Sequence, residues 1–362
     1  MLEADYFRSD DYRTKSDVSH FQRLGAEDGV PYRDFESAYP PVTYVASKLL
    51  HSSDFDMVLE RLIVSQLVLD LGCAALVGFG WGRRAVASYL LVALPLLRLE
   101  LVRLDFVPVF LAILGLFLVR RLAERAGGIV VAVAALAKLW PAALVPVLWG
   151  AGRRRAAVSA VVAGGAGLGA WLVVGGFEGV RQVIGFRGAR GWQVESLPGT
   201  LLLLVRGGEV RYELGAYRVG APPSWVGWCF LAAAAAAVLG AALALDRARR
   251  RGASIEPAGT PAVVAISAMM VGATILSPQF LIWLVPFAAI AAVDGDHRSE
   301  VLVAAAVGLT SLVLVGYDPV DSHLAVPQTA YLLRNGLLVA VIVVGLRRLY
   351  AAARRDPLPA AT

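Results

Sequence analysis

Four short stretches of this sequence carry residues that could do chemistry, and each also has a plain structural reading. The first runs Ser16-Asp17-Val18-Ser19-His20-Phe21, then Asp28-Gly29-Val30-Pro31-Tyr32-Arg33-Asp34-Phe35-Glu36-Ser37-Ala38-Tyr39-Pro40-Pro41. Pro31, Pro40 and Pro41 stiffen it and preclude a regular helix through them. A rigid loop with Asp17, His20, Arg33, Asp34 and Glu36 can present a carboxylate as general base towards a hydroxyl; a solvated acidic loop has the same composition. The second stretch is Lys138 with Trp140. A desolvated ammonium is a point charge suited to a phosphate, and an indole can stack on a sugar or line a lipid groove; the alternative is a lysine snorkelling from a continuous helix. In the third, Arg187 and Arg190 precede Gly191-Trp192-Gln193-Val194-Glu195-Ser196-Leu197-Pro198-Gly199. Arginines bind phosphate bidentately, whereas Glu195 can instead pair with one of them. The fourth, Leu276-Ser277-Pro278-Gln279-Phe280, offers Gln279 either as a polar contact or as the cap of an ordinary turn. Arg103 and Asp105 can pair with each other, His323 stands alone, and His51 and His297 have no supporting neighbours. No HExxH, CxxC, phosphate-binding Gly-rich loop or dinucleotide fingerprint is present.

The elements that must position these residues are membrane helices. The chain has 362 residues, of which 58% are hydrophobic and 17% charged, too few charges for a soluble protein of this length. Apolar segments lie at about 59–80, 85–97, 104–119, 128–149, 155–175, 224–245, 260–276, 278–293, 300–317 and 332–346, many near the length that crosses a hydrocarbon core. The expected class is an all-α integral membrane bundle of about ten to eleven helices, some short or re-entrant, in one domain. The net charge of +6 sits as arginines at segment ends, which points to membrane orientation rather than nucleic acid. Cys73 and Cys229 read as packed thiols, without a disulfide framework or metal cluster. Alanine, valine, glycine and leucine are abundant and lysines number three, Lys15, Lys48 and Lys138, a composition typical of a GC-rich bacterial genome. The expected location is a bacterial plasma membrane.

The positive-inside rule puts Arg83–Arg84, Arg120–Arg125, Arg153–Arg155, Arg247–Arg251, Arg298 and Arg347–Arg355 in the cytoplasm. Only the block 128–149 separates the second cluster from the third. That block must therefore go in and come back, breaking near Ala137-Lys138-Leu139-Trp140-Pro141, where Pro141 removes a backbone donor. Such a break is tolerated where it lines protein or a water-filled cavity, and an intramembrane lysine there is a functional candidate. Residues 1–58 are then an outer N-terminal loop, 176–223 a large outer loop and 347–362 a cytoplasmic tail. An outer N-terminus needs a first crossing that carries it through or a helix preceding it, and the second is expected. Asp70, deep in a helix, should face the bundle interior.

The ordered set SDVSHF, DGVPYRDFESAYPP, RLDFVP, ALAKLWPAALVP, RGWQVESLPG and ILSPQFLIWLVP, spread over residues 16–290, resembles glycosyltransferase family 87. That family comprises the polyprenyl-phosphate-dependent membrane transferases of the GT-C superfamily. The chain departs from the family at Ala38, where an acidic residue often precedes Tyr-Pro-Pro, and in having no membrane helix just before Asp17. The resemblance implies a sugar donor linked to a polyprenyl monophosphate, a glycan or glycolipid acceptor, and inversion at the anomeric carbon. It implies Asp17 as base, because GT-C enzymes carry an essential acid in the first outer loop, with Asp34 as the second choice. Lys138, with Arg33 or Arg190, would hold the leaving phosphate. His20, Tyr39, Trp192, Glu195, Gln279 and His323 complete the candidate substrate contacts. No cofactor is expected, and the metal requirement stays open. A transporter of lipid-linked sugar, or an inactive partner in an envelope-synthesis complex, are the competing readings; the one-sided clustering of polar residues favours the enzyme.

Overall fold

The computed structural model describes residues 13–14, 16–185, 191–213, 215–220, 224–315 and 325–354. Arg187, Arg190 and His323 lie outside the described residues. The fold is all-α in character, 78% helical, and it is that of a membrane protein. Among the described residues four helices are long and apolar enough to cross a bilayer: Phe55–Trp81, Arg154–Ile184, Trp225–Arg250 and Gln328–Arg354. The shorter apolar helical stretches Phe106–Arg120, Trp140–Gly150, Leu197–Arg206, Thr260–Gly272 and Pro278–Val293 fill in between them. In chain order the helices are α1 (Asp17–Ala26), α2 (Pro41–Leu50), α3 (Phe55–Trp81), α4 (Arg83–Ala93), α5 (Leu97–Glu100), α6 (Phe106–Arg120), α7 (Glu124–Ala137), α8 (Leu144–Gly150), α9 (Arg154–Ile184), α10 (Leu197–Arg206), α11 (Ser224–Arg250), α12 (Thr260–Gly272), α13 (Val285–Val293), α14 (His297–Val315) and α15 (Ala325–Arg354).

The block after Arg125 does go in and return. Helix α7 stops at Ala137, Lys138 is extended (φ −155°, ψ 139°), and a short 3-10 turn at Trp140–Ala143 leads into α8. Close contacts fix the directions. A Cβ at Gly128 would lie 2.1 Å from the Ala156 carbonyl oxygen, and one at Gly167 would lie 2.3 Å from Leu136. Positions on α7 and α9 thus advance together, so the two helices run parallel, and the chain between them must reverse. Arg153 meets Glu124 at 3.2 Å, which brings both arginine clusters to one end of the bundle.

The other arginine-rich connectors gather at the same end. Arg120 Nε donates to the Gly80 carbonyl at 2.8 Å and its guanidinium also pairs with Glu256, whose backbone N–H donates to Asp294. Arg348 donates to the Gly295 carbonyl at 2.9 Å, and Arg249 lies against Gly152. The opposite end holds α1, where Val18 and Phe21 pack with Phe55, Val58, Leu62 and Leu104. The 27 residues of α3 separate the two ends by about 40 Å at 1.5 Å per residue.

Several expectations are corrected. The segment before α3 is not a loop throughout, because α1 and α2 form in it. Ser16 caps α1 by accepting from the Ser19 N–H, and Pro41 sits at the first turn of α2, where its missing N–H costs nothing. The described residues of 176–223 are not irregular either. Helix α9 runs on to Ile184 through a kink at Gly176 (φ 64°), a backbone state that suits glycine. Beyond it, β1 (Trp192–Gln193), β2 (Val210–Glu213) and β3 (Ala216–Val219) form an antiparallel sheet in the order β1-β3-β2. The C-terminal segment after residue 346 stays helical to Arg354. Cys73 is packed, but Cys229 is exposed on α11. Asp70 is buried and accepts from the Tyr89 hydroxyl.

Candidate functional site

The break after α7 places Lys138 beside one carboxylate and two aromatic rings. Its ammonium donates to Asp105 at 2.6 Å and stands over the rings of Phe280 (4.5 Å) and Trp283 (4.8 Å). Asp105, nearly fully buried, also accepts from the Trp283 indole at 2.7 Å. Trp140 does not project into open space as a free stacking platform: it is buried, stacked on Trp283 at 5.5 Å and edge-on to Phe287. The Thr43 hydroxyl of α2 closes the end of α7 by donating to the Ala137 carbonyl at 2.7 Å. Asp105 immediately precedes α6, and the 15 residues of α6 lead to Arg120 at the arginine end. Lys138 thus sits about 22 Å from that end.

Two residues before Asp105, Arg103 pairs with Asp17 of α1. The alternative of a pair between Arg103 and Asp105 gives way to two separate pairs, each joining the connection between α5 and α6 to another element. Glu195 approaches from the third side. Its carbonyl accepts from Arg334 and Asn335 of α15. Gln193 is bonded to Thr274 and Leu276 at 3.0 Å each, which ties this turn to the stretch before Gln279. The Glu195 carboxylate lies 3.9 Å from Arg334; its charged neighbour is this arginine of the last helix. Burial raises its pKa to about 7, against the opposing pull of Arg334 and then Arg103. Gln279 is buried in the 3-10 turn that also carries Phe280 and Trp283.

Asp17 and Lys138 are thus paired to one short connection, through Arg103 and Asp105. Gln279 shares the 3-10 turn whose Phe280 and Trp283 cover Lys138, and the turn carrying Glu195 is tied to the stretch before it through Gln193. Asp34 and Arg33 are engaged elsewhere. Asp34 accepts from the Val30 N–H at 2.6 Å and so holds its own tight turn. Arg33 donates to the Val173 carbonyl of α9 at 2.8 Å. Gln182 bonds Ser37 and Tyr32 and completes this latch of the 30–39 loop on α9. His20 and Tyr39 pack ring against ring at 5.7 Å beside Phe21, and Trp192 lies edge-on to Phe230. His297 has a neighbour after all, Glu300 at 3.4 Å. Among the described residues no group of three or more His, Cys, Asp or Glu side chains is placed to hold a metal ion.

Asp105, Trp283 and Arg334 were not singled out as site residues from the sequence. Arg334 carried a usable signal, since an arginine inside the apolar block 332–346 is costly unless it is paired. Asp105 carried a weaker one, a carboxylate at the mouth of an apolar run. Trp283 carried none, because an indole in an apolar segment is ordinarily core. No family model, curated protein or solved structure matches this chain.

Proposed function

We propose that this chain is a membrane glycosyltransferase that moves a sugar, mannose or arabinofuranose, from a polyprenyl monophosphate to a hydroxyl of a cell-envelope glycan or glycolipid. The reading rests on the motif resemblance and on one observation above all. A recessed ammonium, Lys138, shares one end of the bundle with the Asp17–Arg103 pair and with Glu195, away from the arginine-rich connectors. By the positive-inside rule that end faces outward, in a bacterial plasma membrane, and the bundle crosses it ten to eleven times.

The acceptor oxygen attacks the anomeric carbon from the face opposite the phosphate, so the configuration inverts. As the new C–O bond forms, the bond from the anomeric carbon to the phosphate oxygen breaks and its electron pair leaves with the phosphate. Asp17, oriented by Arg103, takes the hydroxyl proton. An ammonium has three donors; Asp105 takes one from Lys138, and those remaining stabilise the leaving phosphate. Phe280 and Trp283 keep the ammonium poorly hydrated, which strengthens its pull on an anion.

Transfer from a polyprenyl-phosphate mannose to an alkyl mannoside tests the reading. Asp17→Asn and Lys138→Met should each lower kcat about 100-fold or more, whereas Asp34→Asn should stay within about twofold because its carboxylate serves its own turn. Full transfer by the Asp17 variant removes the assigned base. The buried Asp70, Tyr89 and Glu100, lying further along the interior, favour a second reading, a transporter of lipid-linked sugar. Accumulation of lipid-linked sugar across a vesicle with no product formed would select it.

A further inference from the structure

Arg334 is 2% exposed, yet its Nε has no hydrogen-bond partner among the described residues, and the same holds for the buried Oε2 of Glu195. The two groups face each other at 3.9 Å from Nη1 to Oε2, beyond hydrogen-bond length. Other bonds hold both groups in place. Arg334 Nη2 is committed to the Glu195 carbonyl, Asn335 binds that carbonyl at 3.1 Å and Thr200 at 3.3 Å, and Tyr331 lies 5.3 Å under the guanidinium. On the other side Gln193 is fixed to residues 274 and 276. Buried polar atoms need partners, and an unmatched carboxylate oxygen beside a guanidinium with an unmatched N–H suits a group that both donates and accepts. A hydroxyl does so; a carboxylate or a fully ionised phosphate does not.

We propose that Arg334 and Glu195 form a hydroxyl-binding subsite in which a sugar hydroxyl donates to Glu195 Oε2 and accepts from Arg334. The assignment rests on reading the end of the bundle that holds Lys138 as a sugar-transfer site, and it adds Arg334 as a substrate-recognition residue. Its pH dependence follows from the groups that face Glu195: Arg334 with Tyr331 from α15, and Arg103 with its partner Asp17 from the opposite side. Burial holds the Glu195 carboxyl near 7 against both arginines. The carboxylate form accepts the hydroxyl, so sugar binding strengthens as pH rises through about 7.

Isothermal titration of the full-length chain in nanodiscs with octyl α-mannoside and octyl arabinofuranoside, at pH 6 and pH 8, tests this. At least one glycoside should bind wild type about tenfold tighter at pH 8. Glu195→Gln should bind about tenfold more weakly than wild type at pH 8 and lose the pH dependence; Arg334→Lys, which keeps the charge but not the fork, should weaken binding similarly. A monodeoxy glycoside lacking the recognised hydroxyl should bind wild type and both variants alike. Thermal unfolding checks that the variants fold, and the isosteric Glu195→Gln carries the test if Arg334→Lys does not. Wild-type affinity in both variants, or no glycoside binding by wild type, overturns the subsite. Wild type that binds sugar through Glu195 but transfers none keeps the subsite and overturns the transferase.

Discussion

Asp105 has one carboxylate shared between an ammonium and an indole, so its removal leaves a recessed cation without its counter-charge. Asp105→Asn should therefore lower stability by roughly 3 kcal/mol, the usual cost of breaking one half of a buried pair. The double change Asp105→Asn with Lys138→Met should recover part of that loss, which thermal unfolding in detergent will show. Glu195 sets a pH dependence of stability of its own. Its carboxyl is raised from 4.5 to about 7 by burial, so the folded state favours the protonated form. The resulting stability is fully present below about pH 4.5 and is lost as pH rises through about 7. Glu195→Gln should flatten the melting temperature across that window. The ionised carboxylate that costs stability above pH 7 is the one that a donating hydroxyl would satisfy.

At the scale of the helix, the reach of Lys138 depends on how α7 is wedged. Glycines let it sit close to both neighbours: Gly127 against the Gly115 carbonyl of α6, and Gly128 against the Ala156 carbonyl of α9 at the 2.1 Å noted above for an added Cβ. Gly128→Val should push α7 from α9, cost about 1–3 kcal/mol, and weaken any activity that needs Lys138. Gly165→Ala on α9, where nothing lies within 4 Å of the added carbon, should be neutral or stabilising by up to about 1 kcal/mol. Comparing the two by thermal unfolding separates close packing from helix propensity. The sequence marks the break after Ala137 through its proline and lysine, but the glycine contacts that aim it are long-range and leave no local pattern.

Across the whole molecule, the separation of polar chemistry from arginine-rich connectors by the length of α3 makes orientation a measurable quantity. In a Cys229→Ser background, Glu27→Cys should react with a membrane-impermeant maleimide in intact cells, and Arg251→Cys only after permeabilisation. The reverse pattern would open the Lys138 recess to the cytosol and remove the proposed reaction from the outer face.

The sequence alone determined the helical membrane class, the positions of the apolar segments and the in-and-out block at Lys138. Segment length, charge at segment ends and proline act over a few residues, so they are readable in one dimension. The same local signals marked residues 1–58 and 176–223 as connections between spans, but not the helices and strands that form within them. Helices α1 and α2 and the small sheet draw their stability from docking on α3, α9 and residues 274–276. Only the tertiary structure decided who pairs with whom. It joined Lys138 to Asp105 rather than leaving it bare, Arg103 to Asp17 rather than to Asp105, and Glu195 to Arg334 across 139 positions of chain, while Asp34 was taken up by its own turn and Arg33 by α9. Charged groups in a low-dielectric interior take whichever partner the packing brings near, and sequence spacing does not encode that choice.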